Sequence, residues 1–397
     1  MPQATDAVGA RIKEIRALRG FSLRELSARA HVSPSMLSRI ESGARTPSEQ
    51  VIAAAARALS VSVTVLHGQP YIEQLRQDQL DRLIAPLANA LDDWGIPPED
   101  GDPPPRSAAD LKQAITRVRE LRAGSDYATL AEEAPALLAE ISHAVWLASA
   151  PGRAREVAHW AQAEAALGAF SVAYKFGYMD LARLALSRMA MAAAQSGDPR
   201  QVAAERLKRA QLSAEGPALE RGLRLVRQGL RDLEDDGSVP TRAMRGGLLL
   251  KGGQLSALLS GADESGEWFA EARGIAAEIG ETSHYALAFG PTNVAQHEVA
   301  AAGDHDRHGA AVELAGRMRL PDGYSPARAG QFWIDYARSL ALTARHEAAL
   351  ESLERARRVS PQQTRYHATT RATVGTLLRA RSRPSDRLRQ FAQWSGV

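Results

Sequence analysis

At 397 residues, with 45% hydrophobic and 24% charged side chains, the chain is too long for one small core and has the balance of an ordinary globular protein of two or three domains. It has no cysteine, which excludes disulfides and thiolate metal sites, and no run of ~18 apolar residues that would mark a leader or a membrane span, so a cytoplasmic location without a membrane partner is expected. The net charge of +3 divides unevenly: residues 1–70 hold nine basic against five acidic side chains, whereas the remainder holds 40 against 41. A small basic module on a near-neutral body suits a polyanionic partner.

Val8 to Arg19 carries Ile12, Ile15 and Leu18 at helical spacing, and Gly20 stops that helix. Ser22 and Glu25 have the spacing of a capping box, opening a second helix with Leu23 and Leu26 on its apolar side and an end near Ala30. After His31-Val32, Ser33 caps a third helix whose first turn accepts Pro34 because no amide donor is needed there. Leu37 and Ile40 point inward, leaving Ser35, Ser38, Arg39 and Ser42 outward, and Gly43 ends the helix. Thr46, Pro47 and Glu49 give a cap-plus-proline start to a packing helix over Glu49 to Leu59, and a turn at Val63 to Leu66 closes the bundle. On charge alone, a small helical bundle with a solvated basic face is the favoured reading.

The ordered set of motifs is more specific. The LxxL of the second helix, the Val32-Ser33 turn, the LSRIESG helix end and the final LSVSVTVL resemble an Xre/Cro-type, lambda-repressor-like helix-turn-helix domain over residues 8–69. That resemblance implies a five-helix DNA-binding domain with the third helix in the major groove of a double-stranded operator. Base contacts then fall to Ser33, Ser35, Ser38 and Arg39, of which Arg39 has the fork to bond guanine O6 and N7 together. Phosphate contacts fall to Arg45, Thr46 and the backbone amide of Leu23. Leu23 stands where the family often has a phosphate-binding glutamine, and Pro34 where it often has a base-reading one, so base readout is thin. Arg16 and Glu41 match a family pair that bridges the first and third helices, a structural role.

Tyr71 to Trp94 reads as one long helix with an apolar stripe at Leu75, Leu80, Leu83, Ile84, Leu87 and Leu91, able either to pair with its twin or to dock on the C-terminal domain. Gly95 to Ala109 is a proline-rich acidic linker with a stiff run at Pro103 to Pro105 and reads as a spacer. From Asp110 onward apolar residues recur at helical spacing with Gly, Pro or Asp breaks, giving helix pairs of about 35 to 45 residues. The unit Gly330 to Pro361 resembles a tetratricopeptide repeat, with Trp333, Tyr336, Ala337 and Leu340 on one helix, Ala349, Leu353 and Ala356 on the next, and Pro361 closing it. Small alanines let such helices approach while larger residues fill the gaps between pairs. The expected fold is therefore all-α, with the helix-turn-helix domain at 1–70, a connector at 71–109 and an α-solenoid of tetratricopeptide-like helix pairs with a concave inner surface at 110–397.

KFGYMDLARLALSRMAMAAAQSGDP, FGPTNVAQHEVA and ERARRVSPQQTRYHATTRATVGTLLR also resemble the helical C-terminal part of actinobacterial-type Xre regulators. This implies a transcription regulator that acts as a homodimer and responds to a small-molecule or peptide effector. FGPTNVAQHEVA is the least generic stretch: Asn293, Gln296 and His297 fall on what should be an inner helix, with Tyr285 and Phe289 one and two turns earlier as an apolar wall. The alternative is that Asn293 and His297 satisfy buried backbone groups or cap the helix after Pro291. His305 and His308 beside Asp304 and Asp306 raise a metal site but lack an inward third ligand. With no phosphate-binding loop, dinucleotide fingerprint or nucleophile elbow, neither enzymatic activity nor a cofactor is expected. A scaffold that uses its repeat surface to bind proteins, with the basic module only for localisation, is the competing functional class.

Overall fold

Short polar caps start several of the helices, and helices are the only regular elements among the residues that the computed structural model describes, namely 4–18, 21–45, 47–59, 61, 66, 77–214, 218–260, 262–380 and 384–397. The chain divides into two units, Met1–Glu73 and Gln74–Val397.

The first unit contains α1 (Ala4–Leu18), α2 (Leu23–Ala30), α3 (Pro34–Glu41) and α4 (Glu49–Ala58). The capping box is present in full: the Ser22 amide donates to Glu25 Oε2 at 2.7 Å, and the Glu25 amide donates to Ser22 Oγ at 3.2 Å. Two amides at the helix start thereby gain a partner. Val8, Ile12, Ile15, Leu26, Leu37, Ile40, Ile52 and Leu59 form one buried core. A Cβ at Gly9 would stand 2.0 Å from the Ile40 carbonyl oxygen, so the missing side chain is what lets α1 approach the backbone of α3. The start of α4 departs from the expected cap: Ser48 supplies it, accepting from the Val51 amide at 3.4 Å, and Pro47 is buried just outside the helix. Proline there fixes the entry of the chain while serine, one residue on, caps better. Of the expected closing turn only Leu66 lies among the described residues, and it is fully buried in the same core.

In the second unit α5 (Gln77–Asp92) comes first, and of the expected connector helix residues 71–76 lie outside the described residues. The stripe of α5 docks on its own chain: Ile84, Leu87 and Leu91 are buried against three helices of the repeat body, and Arg188 Nε donates to the Leu91 carbonyl at 3.1 Å. The proline-rich stretch after it is pinned at its end, because Arg106 bonds Glu140 through its backbone amide and through its guanidinium, at 2.6 to 3.1 Å.

The helix pairs run in order: α6 (Ala108–Gly124), α7 (Tyr127–Leu147), α8 (Arg153–Lys175), α9 (Met179–Gln195), α10 (Pro199–Ala214), α11 (Leu219–Asp232), α12 (Val239–Ser260) and α13 (Ala262–Ile279). Then come α14 (Pro291–Asp304), α15 (His308–Arg317), α16 (Pro326–Leu342), α17 (His346–Val359), α18 (Pro361–Tyr366), α19 (Ala368–Arg379) and α20 (Asp386–Ser395). In the α16/α17 pair, Ala337, Leu340, Ala349, Leu353 and Ala356 are buried while Trp333 and Tyr336 are half-buried. Pro361 opens α18 at its first turn, where its fixed φ is an advantage, and so starts a new element as well as ending the pair.

The even-numbered helices α6 to α16 pack side by side, and the row closes on itself, since α16 also packs against α6. Polar contacts stitch the seam. Ser325 Oγ donates to the Ala123 carbonyl at 3.1 Å, and Gln362 Oε1 accepts from the Tyr127 amide at 3.0 Å while its Nε2 donates to Asp126 Oδ1 at 3.0 Å. These partners lie more than 200 residues apart in sequence. The repeat body is thus a closed ring of six inner helices.

Candidate functional site

Two places bring candidate residues together, one in each unit. In the first, Ser22 and Ser33 cap consecutive helices, and His31 takes the left-handed conformation (φ 52°) that turns the chain between them. The turn is held by Ser27 Oγ donating to the Val32 carbonyl at 2.6 Å. The Arg16 guanidinium grips Glu41 with two parallel bonds, at 2.7 and 2.8 Å, and donates a third to the Phe21 carbonyl at 2.9 Å. Both partners are largely buried, so α1 is locked to the end of α3 by a planar fork on a carboxylate.

This leaves the outer face of α3 fixed and open. Ser35, Ser38 and Arg39 are exposed at helical spacing, with Ser42 continuing the face one turn later. Ser33 is also exposed, but its hydroxyl accepts from the Met36 amide at 3.3 Å and shares a 3.3 Å contact with Ser35 Oγ, so it works first as the helix cap. Arg45 is exposed just past the helix, its amide bonded to the Arg39 carbonyl at 3.0 Å. Leu23 is half-buried against the core, leaving only its backbone for a ligand, and Thr46 lies outside the described residues.

In the second unit the expected effector residues separate into three environments. Asn293, Gln296 and His297 lie on α14, where Asn293 Nδ2 donates to Gln296 Oε1 at 3.4 Å and Tyr324 Oη donates to the same oxygen at 3.0 Å. Gln296 Nε2 donates in turn to the Arg328 carbonyl at 3.4 Å. Burial, reinforced by the nearby cations Arg328 and Lys251, pushes the His297 imidazole well below its ordinary range, so it is neutral at pH 7. Burial pushes the Tyr324 phenol up to about 12.

Tyr285 and Phe289 are not on that helix, contrary to the expected spacing of one and two turns. Pro291 begins α14, and the residues before it form an irregular segment with Tyr285 (φ 55°) and Ala288 (φ 48°) in the left-handed region. Proline at the first helical position cannot donate to a preceding turn, so the helix has no earlier start. Phe289 is fully buried in the space left by Gly246, whose Cβ would lie 2.0 Å from its ring. Tyr285 sits in a short 3-10 turn that reaches from α12 to α6, crossing the ring. Its hydroxyl donates to Asp198 Oδ2 at 2.6 Å, with the guanidinium groups of Arg119 and Arg200 against its ring. Burial and that hydrogen bond hold the phenol protonated well above its usual range.

Several interior groups were invisible as a set in the sequence because each sits on a different helix. Arg119 Nε donates to Glu164 Oε2 at 2.9 Å, and Gln201 Nε2 donates to Glu164 Oε1 at 2.6 Å. Burial pulls the Glu164 carboxyl up, but Arg119, Arg122 and Gln201 outweigh it and hold the group below the usual carboxylate range. In the expected His-Asp cluster, Asp304 is taken by Arg338 at 3.0 Å, and His308 contacts Asp306 at 3.6 Å and Ser339 Oγ at 3.5 Å.

The first unit, with two capped helices at a tight turn and a braced third helix facing out, is a helix-turn-helix domain, and residues 12–66 match the helix-turn-helix family. Over 93% of this chain and 99% of the other, Bacillus thuringiensis PlcR, solved in complex with the peptide PapR7 and DNA, matches at 16% identity and a TM-score of 0.29. The competence regulator ComR from Streptococcus vestibularis, in its apo form, matches at 14% identity over 76% of this chain and 99% of its own, with a TM-score of 0.27. ComR from S. thermophilus, also apo, matches at 15% identity over 69% and 95%, with a TM-score of 0.24. No curated protein matches the chain. Among the described residues no helix is long and apolar enough to cross a membrane.

Proposed function

We propose that this chain is a sequence-specific, DNA-binding transcriptional regulator that works as a homodimer and is modulated by a ligand held in its helical-repeat body. The observation that carries the reading is the open face of α3, where Ser35, Ser38 and Arg39 project from a helix braced by the Arg16–Glu41 fork. A helix presented this way fits the major groove, with Arg39 forked onto a guanine and the serines bonding neighbouring base edges or phosphates. Arg45, the Leu23 amide and Thr46 hold the backbone.

One arginine and a few hydroxyls discriminate bases weakly, so specificity rests on two copies reading half-sites about 34 Å apart, or a multiple of it, and on DNA shape. A ligand that prefers one spacing of the two domains changes operator affinity by its differential binding energy. Ile84, Leu87 and Leu91 of α5 are covered by the body of its own chain, which turns dimer pairing toward other surfaces. The helix pairs are read as tetratricopeptide-like, with residues 1–70, 71–109 and 110–397 as reading domain, connector and effector body.

The test is a titration of the purified full chain at physiological salt against duplex from its own promoter and against random duplex of the same length. A preference of at least ~10³ for promoter duplex is expected. Equal affinity for the two duplexes overturns the reading. Regulation of target genes that survives Arg39→Ala would instead favour the protein-binding scaffold.

A further inference from the structure

Besides the arginines bonded to interior carboxylates, five of the six inner helices of the ring bring a further basic side chain into one shared interior. Arg122 comes from α6, Lys175 from α8, Lys208 from α10, Lys251 from α12 and Arg328 from the first turn of α16. The sixth, α14, contributes His297, which is neutral. The strongest charge effects on Lys208 come from the other four cations, so the five ammonium and guanidinium groups share one interior.

Carboxylates in the same interior already have partners. Glu164 is held by Arg119 and Gln201, Glu205 by Arg209, and Asp198 by Arg200 and Tyr285. Asp335 accepts two bonds from Gln331 and is raised to about 7 by burial, so about half of it is neutral at pH 7. Three of the cations form no ion pair among the described residues, although the Glu164 carboxylate offsets part of the Arg122 charge. Arg122 is 8% exposed; its Nε donates to Ser171 Oγ at 3.0 Å, and its Nη1 is buried with no hydrogen-bond partner. Lys208 reaches only the amide oxygen of Gln211, at 3.5 Å. Among the described residues Arg328 has no ion pair, and it stands in the first turn of α16, where the helix dipole adds positive potential.

A buried guanidinium nitrogen without a hydrogen-bond partner, in an interior shared with further cations, is costly and is satisfied by an anion with several acceptor oxygens. From this geometry we infer that the ring binds a small organic anion, with a carboxylate or phosphate group seated between Arg122, Lys208 and Arg328. The site deepens the proposed effector function and rests on that reading for its regulatory consequence, though not for the binding itself. Asn293, Gln296 and Tyr324, linked to the Arg328 backbone, lie beside the seat and face the uncharged part of the ligand. Burial together with Arg122, Arg328, Lys251 and Lys175 pushes the Lys208 ammonium well below its ordinary value, and an anion relieves that repulsion.

Thermal unfolding of the full chain, with pyrophosphate, inorganic phosphate or citrate titrated against sodium chloride at matched ionic strength, tests the inference. A saturable rise in Tm is expected with at least one of these anions beyond that given by chloride, and the one that acts distinguishes phosphate from carboxylate recognition. Lys208→Met and Arg328→Met should each weaken the apparent affinity for that anion at least tenfold, and Lys208→Met without anion should unfold no earlier than the wild type because like charges are removed. No rise beyond chloride with any of the three anions, or a rise kept in both variants, overturns the inference. Promoter binding, measured on the same preparations, reports the helix-turn-helix domain separately, so failure of one reading is not mistaken for failure of the other.

Discussion

The helix-turn-helix unit and the repeat ring place their cations in opposite ways. On α3 and just after it, Arg39 and Arg45 are exposed beside a small apolar core, and a largely buried charge pair, Arg16 with Glu41, is fully bonded. In the ring, Arg122, Lys208 and Arg328 point inward, and a buried guanidinium nitrogen is left without an acceptor. Outward charge on a rigid helix suits a polyanion too large to enclose, and its energy is set by counterion release. Inward charge suits a ligand small enough to be surrounded, where the low dielectric strengthens each contact and also raises the cost of leaving it unmade. The same chemical group is therefore placed to suit two kinds of partner.

The contrast can be broken most forcefully at the brace. Glu41→Ala strands the largely buried Arg16 guanidinium and should lower the stability of the helix-turn-helix unit by about 3 kcal/mol, read by denaturant unfolding, while the ring's own transition stays in place. Next in size, Arg39→Ala should weaken promoter binding by about 1–3 kcal/mol and flatten the preference among base substitutions, with unfolding unchanged. Arg45→Ala should instead weaken all duplexes alike and reduce the slope of log affinity against log salt by about 1.

A further effect concerns the ring and pH. Asp335 is raised from 3.8 to about 7 in the folded chain, so the folded state binds more protons than the unfolded one between those values. Its contribution is full below about pH 4 and is lost as pH rises through 7. Asp335→Asn keeps the neutral form, so its Tm relative to wild type should climb from pH 5 to pH 8 by about 4 °C, corresponding to roughly 2.6 kcal/mol. A constant difference across that range would place the carboxyl in a more hydrated setting.

Much of the first unit is legible because its determinants are local. The Ser22/Glu25 box and the Ser33-Pro34 start each lie within one helical turn, and the alternation of Leu37 and Ile40 with Ser38 and Arg39 sorts inside from outside by period alone. Where local signals compete, the reading slips by a residue or two: Thr46 and Ser48 both precede α4 with Pro47 between them, and Ser48 caps it. At Tyr285 and Phe289 the apolar spacing looks helical, yet the backbone turns left-handed at Tyr285 and Ala288 before Pro291 opens the helix, and Gly246, on another helix, makes room for the Phe289 ring.

By itself the sequence determined an all-helical chain, a capped and braced reading helix, and a long body of helix pairs, because caps, breaks and apolar periods act over at most a few turns. Only the tertiary structure decided that α5 spends its apolar stripe on its own body and that α16 returns to α6. Only the closed ring brings Arg122, Lys208 and Arg328 from three helices to one seat. Those outcomes depend on contacts between residues up to more than 200 positions apart, whose register accumulates from small rotations at every helix pair and is written in no single segment.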